Sequence, residues 1–287
     1  MKTLKGKTAL ITGASRGIGI YIAKALAEEG MNLVLVARKA DSLEEVASKL
    51  RSPQITITCI ASDIGLTSEL QTLVERAETE SKGIDVLINN AGLDIAYPYD
   101  KLDIDVLNQI INVNLKAPMI LSRLFLPKMI ERGRGHIVNI SSLSGLVGTP
   151  YGEAYASSKH GLIGFTRSLR LTAIGESYPV GVSVICPGFI SKTGMFDDVS
   201  KESGLEAPAI LGTSPPEDVS KAVIYAIKKN KCEVIVNSKP VRPLLIILAI
   251  IPSLATWITR KTGSLKLFSD FAQHAIKNNL SSENKEK

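Results

Sequence analysis

The sequence predicts an α/β fold in which helices cover both faces of a parallel sheet, followed by an apolar helical extension at the C-terminus. Strand-like and helix-like segments alternate along residues 1–240, which is typical of a parallel sheet with crossover helices. The strand-like segments are continuous apolar runs, so both faces of each strand are expected to be buried. No linker or repeat precedes Pro240, so we assign residues 1–240 to one domain and residues 241–287 to the extension.

Seven strands and six helices account for this domain in order. The strands are predicted at residues 8–11, 33–37, 55–60, 84–88, 135–140, 180–185 and 233–236. The helices are predicted at residues 20–29, 41–50, 66–81, 103–131, 153–174 and 216–229. Gly30 is suited to end the first of these helices, and Pro216 is suited to open the last.

The composition is that of an ordinary globular protein, with 45% hydrophobic and 22% charged residues. The net charge is +6, but basic residues form no stripe interleaved with aromatics, so we expect no nucleic-acid binding. The three cysteines lie in strand-like runs and the three histidines are scattered, which predicts reduced thiols and no metal site. No apolar leader precedes the first strand, so we expect a cytoplasmic protein.

The turn after the first strand indicates a nucleotide site. Gly13, Gly17 and Gly19 form a G-x-x-x-G-x-G pattern between a strand and a helix. Glycines allow the backbone to turn tightly and approach a pyrophosphate, which then lies at the positive N-terminus of the helix. This pattern predicts dinucleotide binding.

The end of the second strand indicates which dinucleotide. Folds that bind NAD place an acidic residue there to hold the ribose 2′-hydroxyl. This chain has Ala37 followed by Arg38, and Arg16 lies in the glycine turn. Two guanidinium groups and no carboxylate favour a 2′-phosphate, and therefore NADP(H). The alternative is that Arg38 only solvates a loop.

A second group of residues predicts proton transfer. Tyr155 and Lys159 are four residues apart, so a helix that begins near residue 153 places both on one face. A free phenol has a pKa of about 10, and a nearby ammonium group lowers it towards neutrality. The hydroxyl of Ser142 could stabilise charge on a substrate oxygen. The Tyr–Lys spacing also occurs by chance in many helices, and the serine-rich turn before it strengthens the functional interpretation.

Pro118 bears on Asn114, four residues before it. A helical proline has no N–H, so the Asn114 carbonyl loses its i+4 donor and the helix is expected to bend. That carbonyl could hold a water molecule. A plain kink, with solvent or a neighbour capping the carbonyl, is the alternative.

Together these motifs, with 89–92 and the Pro187-Gly188 pair, resemble the short-chain dehydrogenase/reductase family, in particular its 3-oxoacyl-(acyl-carrier-protein) reductase-like group. The resemblance covers roughly residues 5–237. It implies a Rossmann-type, doubly wound sheet of seven strands, a nicotinamide cofactor, and hydride transfer to or from a carbonyl carbon. By position, it implies cofactor contacts from Gly13, Ser15, Arg16, Ile18, Gly19, Arg38, Asp63, Asn90, Tyr155, Lys159, Ile190 and Thr193. Thr193 is one residue further from Pro187-Gly188 than is usual in the family.

The resemblance also implies a catalytic role for each of four residues. Tyr155 would protonate the carbonyl oxygen and Ser142 would orient it. Lys159 would lower the tyrosine pKa and bind the nicotinamide ribose. Asn114 would hold a water that relays protons from bulk solvent.

The extension departs from the family pattern. Residues 244–251 form an apolar run that is shorter than the roughly 20 residues of a membrane-spanning helix, and Pro252 interrupts it. Trp257 near Arg260 is typical of an interfacial anchor. The segment 244–261 could contact a membrane surface, cover the substrate cleft, or pack on its own domain or a partner subunit. The polar end, residues 278–287, is expected to be disordered.

These observations favour an NADPH-dependent reductase of a ketone, acting on a 3-oxoacyl group or another apolar carbonyl compound in fatty acid or lipid metabolism. The substrate would be a small molecule or an acyl thioester, and the enzyme a homodimer or homotetramer. Two alternatives stay open: a reductase of a lipid-like ketone, such as a steroid or sphingoid base, at a membrane surface, or an NADP-binding regulatory protein with incidental turnover. The loop 191–213, which would cover the substrate, does not identify it.

Overall fold

A computed structural model describes residues 1–208, 211–261 and 264–283. Its strands are β1 (Thr8–Thr12), β2 (Asn32–Ala37), β3 (Ile57–Ala61), β4 (Val86–Asn89), β5 (Gly135–Ile140), β6 (Val180–Pro187), β7 (Phe189–Ile190), β8 (Thr213–Ser214) and β9 (Glu233–Val236). Seven of them form one parallel sheet in the order β3-β2-β1-β4-β5-β6-β9, and β7 pairs with β8. The predicted doubly wound, seven-stranded sheet is confirmed.

Helices follow most of the strands and cover both faces of the sheet. They are α1 (Ile18–Glu28), α2 (Ala40–Leu50), α3 (Thr67–Ser81), α4 (Ile104–Ile111), α5 (Ala117–Glu131), α6 (Glu153–Gly175), α7 (Met195–Ser203), α8 (Pro216–Lys229), α9 (Arg242–Ile250), α10 (Pro252–Lys261) and α11 (Ser264–Glu283). The strand order reverses between β1 and β4, so the crevice at their carboxyl ends is where a fold of this kind binds ligands.

The core consists of two apolar layers, one on each face of the sheet. On β1, Ile11 packs in one layer with Leu26 of α1, whereas its neighbour Leu10 packs in the other with Leu73 and Phe125. All five of these residues are buried. Burial on both faces explains why the strands are continuous apolar runs in the sequence.

The predicted helix at residues 103–131 is not a single α-helix. A π-helical turn, Asn112–Lys116, separates α4 from α5, and Pro118 lies at the second position of α5. Pro118 cannot donate the i+4 hydrogen bond to the Asn114 carbonyl. The structure thus contains an irregularity where the sequence predicts a bend.

The segment between β6 and α8 has more structure than the sequence indicates. It contains the short sheet of β7 with β8, and α7 lies between them. The other strand and helix ends agree with the predicted ones to within two residues.

The extension consists of α9, α10 and α11. No described helix is by itself long and apolar enough to span a membrane, whereas α9 and α10 together meet the length and composition criteria but are bent by 120° at Ile251. Helix α11 continues to Glu283, so it includes residues 278–283 of the polar end for which the sequence predicts disorder. The rest of that end, residues 284–287, lies outside the described part of the chain.

Candidate active site

The glycine turn lies between β1 and α1. Two of its glycines lie too close to neighbouring atoms to carry a side chain. Gly13 has a φ of 66°, and a Cβ there would lie 2.8 Å from the Cα of Ala91. A Cβ on Gly19 would collide with the carbonyl oxygen of Gly13. Only glycine fits at these two positions, so α1 packs directly against the turn, as a phosphate cradle requires.

A groove of about 620 Å³ opens beside this turn at the carboxyl ends of the strands. Eight of the predicted cofactor residues line it: Gly13, Ser15, Arg16, Ile18, Arg38, Asp63, Asn90 and Thr193. Gly19 and Ile190 do not line the groove; Gly19 packs beneath the turn and Ile190 is buried in the core. The sequence analysis did not select Ser42, Val113 or Met195, which also line it, because only the tertiary fold brings them there.

The rim of the groove at the end of β2 is positively charged. Arg16 and Arg38 are exposed, and neither forms an ion pair within the described part of the chain. No acidic residue occupies the first turn of α1. The groove therefore presents two guanidinium groups and a helix N-terminus to a phosphate-bearing ligand.

Two polar residues of the groove have internal partners. The side-chain amide of Asn90 donates to the carbonyl oxygens of Thr12 (2.9 Å) and Gly13 (3.2 Å). One carboxylate oxygen of Asp63 accepts from the backbone N–H of Gly65 at 2.9 Å. Asn90 thus fixes the glycine turn, a role that the sequence analysis did not predict.

Tyr155 and Lys159 lie one turn apart near the start of α6, and both are buried. The Nζ of Lys159 is 5.5 Å from the centroid of the Tyr155 ring and donates to the carbonyl of Ile140 at 2.9 Å. Ser142 follows β5, and its Oγ accepts from the N–H of Ser144 at 3.1 Å. Ser142 also lies close enough to Tyr155 to lower the pKa of its phenol. The structure therefore brings together the three residues that the sequence predicts.

A close approach of the serine-rich turn to α6 holds this arrangement. A Cβ on Gly145 would lie 2.8 Å from the carbonyl oxygen of Lys159 and 2.7 Å from the Oγ of Ser141. The Ser141 hydroxyl donates to that same Lys159 carbonyl at 3.0 Å. Position 145 therefore needs glycine so that the turn carrying Ser142 can contact the helix carrying Tyr155.

A buried amide ladder joins the strands to the same helix. The Asn89 amide donates to Asn139 at 2.8 Å, and the Asn139 amide donates to the hydroxyl of Thr166 on α6 at 2.8 Å. The sequence analysis missed this ladder. The available signal was asparagine in two strands that are otherwise apolar, since a buried amide must find partners.

The side chain of Asn114 is fully buried and connects two parts of the site. Its Oδ1 accepts from the N–H of Leu93 and its Nδ2 donates to the carbonyl of Leu93, both at 2.8 Å. The Nδ2 also donates to Ser158 at 3.1 Å, whose hydroxyl donates to the Tyr155 carbonyl at 2.6 Å. Asn114 thus ties the loop after β4 to the catalytic helix.

The surroundings of Tyr155 and Lys159 shift the pKa values of both side chains. Burial raises the pKa of Tyr155 above its ordinary value, Asp94 raises it further, and the nearby Ser142 opposes both. Lys159 is not among these causes, so the expected lowering of the tyrosine pKa by this lysine stays a prediction. Burial lowers the pKa of Lys159 to about 8, although Asp94 and Cys186 act in the opposite direction.

Asp94 is a charged residue of the site that sequence reasoning missed. Burial in the cleft raises the pKa of its carboxyl to about 6, and Lys159 and the Ile95 backbone act in the opposite direction. The residue as a whole is exposed to solvent, which moderates this effect. No spacing in the sequence marks Asp94, because it meets Tyr155 and Lys159 only through the folding of the loop after β4.

Gly92 joins the groove to the catalytic residues. It lines the groove, and a Cβ at this position would lie 3.5 Å from the Nζ of Lys159 and 3.5 Å from the Oδ1 of Asn114. A ligand that fills the groove therefore ends beside Lys159. Within the described residues, no group of three His, Cys, Asp or Glu side chains is placed to hold a metal ion.

Comparison with known proteins gives consistent matches. The model of the short chain dehydrogenase family matches residues 7–204. The ketoacyl reductase HetN of Nostoc sp. is 43% identical over 241 residues, which cover 84% of this chain and 82% of that protein. A metagenomic short-chain oxidoreductase in complex with NADP has a TM-score of 0.68 and 32% identity, over 81% of this chain and 97% of the other. An F189W actinorhodin polyketide ketoreductase with NADPH has a TM-score of 0.74 and 28% identity, over 82% and 97%.

Proposed function

The chain belongs to the short-chain dehydrogenase family of oxidoreductases, and we propose that it uses NADPH to reduce a ketone to a secondary alcohol. The observation that carries this proposal is the position of Gly92, which lines the groove and lies next to Lys159. The similarity to HetN, which is named a ketoacyl reductase, favours a 3-oxoacyl or similar carbonyl substrate.

The residues of the groove fit NADPH. Gly13 and Gly19 leave the backbone open to a pyrophosphate, and the N-terminus of α1 carries no competing acid. Arg16 and Arg38 would hold the 2′-phosphate. Asp63 would lie at the adenine end of the groove, and Thr193 at the nicotinamide end. When bound, the nicotinamide supplies the hydride.

Tyr155 would supply the proton. Burial and Asp94 keep its phenol protonated, which is the state that a proton donor to a carbonyl oxygen needs. The Ser142 hydroxyl would donate to the same oxygen and stabilise negative charge on it. Lys159, buried and bound to the Ile140 carbonyl, would hold the nicotinamide ribose and stabilise the tyrosinate that remains.

A proton must then return to Tyr155. The Asn114 side chain is fully engaged by Leu93 and Ser158, so only its backbone carbonyl could hold a relay water. Pro118 removes the α-helical donor for that carbonyl. This arrangement supports the relay role of Asn114 through its main chain, with its side chain positioning the loop.

Two features support an apolar substrate. Tyr151 adopts a left-handed backbone conformation (φ 60°), and its carbonyl accepts from the N–H of Tyr97 at 2.9 Å. Such strain in a residue that is not glycine is typical of a functional site. Phe189 follows the Pro187-Gly188 pair on the other side and packs on Phe196 of α7 at 4.7 Å. Aromatic residues thus lie both in the turn before α6 and directly after the Pro187-Gly188 pair.

A lipid-like ketone is the second candidate substrate, because the extension carries exposed aliphatic side chains that a cytoplasmic reductase does not need.

A homodimer or homotetramer is our expectation for the assembly. Met119 on α5 and Leu171 and Ile174 on α6 are exposed, and burial against a second copy would cover them. A regulatory protein with incidental turnover is the remaining alternative.

NADPH oxidation with a panel of carbonyl compounds tests the proposed function. The panel should contain acyl thioesters, steroids, quinones and sugars. We expect turnover of a 3-oxoacyl thioester or another apolar ketone, and little of sugars. Binding of NADPH without turnover of any member would contradict the reductase and favour the regulatory role.

A further inference from the structure

The helices α9 and α10 form an exposed apolar wedge, which we define as residues 242–261. Neither helix contains a buried residue. Ile250 is 73% exposed and Trp257 is 58% exposed. The other large apolar side chains that are exposed here are Ile246, Ile247 and Ile251. Proteins that stay monomeric in water rarely expose an apolar patch of this kind, so another surface is expected to cover it.

The charge around the wedge identifies that surface. No acidic residue occurs between Glu233 and Asp270, and this stretch contains five basic ones: Lys239, Arg242, Arg260, Lys261 and Lys266. Arg260 and Lys261 are exposed at the end of α10, within one turn of Trp257. An apolar face with an aromatic residue and a basic border is typical of attachment to anionic lipid. A second copy of the wedge would bring like charges together.

The shape of the wedge restricts how it enters a bilayer. The two helices contain 9 and 10 residues and are bent by 120° at Ile251. Each is about 15 Å long, roughly half of the hydrocarbon thickness. Pro252 begins the second helix at the bend. The wedge can therefore enter one leaflet but not cross both.

Aromatic contacts connect α11, which packs on the wedge, to α7, whose Met195 lines the groove. On α11, which packs on both α10 and α7, Phe271 is buried. Its ring lies 6.2 Å from that of Phe196 on α7, and the Phe196 ring lies 4.7 Å from that of Phe189 on β7. These three rings thus link α11 to α7 and to β7.

We propose that the wedge docks this enzyme on an anionic bilayer surface and that the enzyme takes its carbonyl substrate from that bilayer. The first part stands on the exposed apolar and basic residues alone. The second part rests on the proposed reductase function and names its substrate class, a long-chain ketone that is dissolved in lipid.

Vesicle flotation of the full chain tests docking without any need for turnover. The vesicles are phosphatidylcholine with phosphatidylglycerol, or phosphatidylcholine alone. We expect flotation with the anionic vesicles, and at least about a tenfold weaker association for Ile250→Glu, since this change removes one inserted aliphatic side chain and adds like charge to the lipid. Ile104→Glu is the matched control, because Ile104 on α4 is 74% exposed and lies outside the wedge. It should float like the native chain.

The double change Arg260→Glu with Lys261→Glu tests the charge argument. It should weaken association with the anionic vesicles and leave any association with neutral vesicles unchanged. Docking is overturned if the native chain does not float, or if Ile104→Glu and Ile250→Glu lose association equally. Loss of a dimer in Ile250→Glu by light scattering, with no flotation of the native chain, would show that the wedge is a subunit interface instead.

Substrate delivery is tested by NADPH oxidation with two ketones. Ile250→Glu should keep native turnover of a short, water-soluble ketone and lose at least about tenfold of the turnover of a long-chain ketone held in anionic vesicles. Equal turnover of the vesicle-held ketone by both proteins would overturn delivery from the bilayer. Failure of both proteins on the soluble ketone would instead contradict the proposed reductase function, and flotation would still decide docking.

Discussion

At the scale of single residues, the catalytic site depends on three charged or titratable groups close together in a cleft. Burial lowers the pKa of Lys159 to about 8, so its side chain is cationic below that pH. The nearby Asp94 raises this pKa and thereby favours the cationic form. The same carboxylate raises the pKa of Tyr155. Asp94 therefore raises the pKa of both the proposed proton donor, Tyr155, and the neighbouring Lys159.

Asp94→Asn should shift the alkaline limit of activity to lower pH. Without the carboxylate, burial lowers the pKa of Lys159 further, so the ammonium form is lost at a lower pH. The pH profile of kcat/KM reports this because it follows ionisations of the free enzyme. Asp100→Asn, an exposed change in the same connection after β4, serves as the control. An identical profile for Asp94→Asn and the native enzyme would remove Asp94 from the site.

Arg38→Ala should weaken NADPH and leave NADH nearly unchanged. The guanidinium is exposed at the rim of the groove, where only the cofactor with a 2′-phosphate would engage it. Loss of one charge-assisted hydrogen bond corresponds to about tenfold or more in affinity. Titration of both cofactors by fluorescence measures this, with Arg76→Ala on α3 as a distant control. Equal weakening of both cofactors would contradict the assignment of Arg38 to the phosphate.

At the scale of elements, the contact between the serine-rich turn and α6 sets the distance from Ser142 to Tyr155. This contact requires glycine at position 145, because the Lys159 carbonyl and the Ser141 hydroxyl occupy the space of a side chain. The buried hydrogen bonds from Asn89 to Asn139 and from Asn139 to Thr166 connect β4 and β5 to the same helix. The catalytic geometry is thus a property of how β4, β5 and α6 pack.

Gly145→Ala should lower turnover strongly and leave NADPH binding largely intact. The added methyl group would push the turn away from α6, and overpacking of this kind costs about 1–3 kcal/mol. Gly148→Ala is a matched control in the same turn, since a Cβ there meets no atom within 4 Å. Denaturant unfolding and steady-state kinetics measure the two effects. Native turnover in Gly145→Ala would show that the close contact does not set the catalytic distance.

At the scale of the whole molecule, the sequence predicts those features that depend on local spacing. The parallel sheet follows from continuous apolar strands, and Tyr155 and Lys159 follow from helical periodicity. Asp94 was missed because its role depends on a loop that Asn114 clamps from another element. Helix α7 was missed because the segment around it is short and polar, and contacts with β7 and α11 support it instead.

The extension shows the same limit of sequence reasoning. Its apolar composition was evident, but three competing surfaces could each have covered it. The structure leaves α9 and α10 exposed and brings α11 back onto α7. Which helices of the extension are covered depends on packing between segments that are distant in the sequence, and short-range sequence patterns do not predict such packing.

The central claim is that the groove and Tyr155 act together in hydride and proton transfer. Single-turnover oxidation of NADPH by Tyr155→Phe, with a ketone that the native enzyme reduces, tests it most directly. Tyr151→Phe is the control, because it removes a hydroxyl from a neighbouring tyrosine in the turn before α6. We predict that Tyr155→Phe binds NADPH normally and loses about 10²- to 10⁴-fold in rate, as expected for loss of a positioned acid, whereas Tyr151→Phe keeps most of its rate. A near-native rate for Tyr155→Phe would contradict the account.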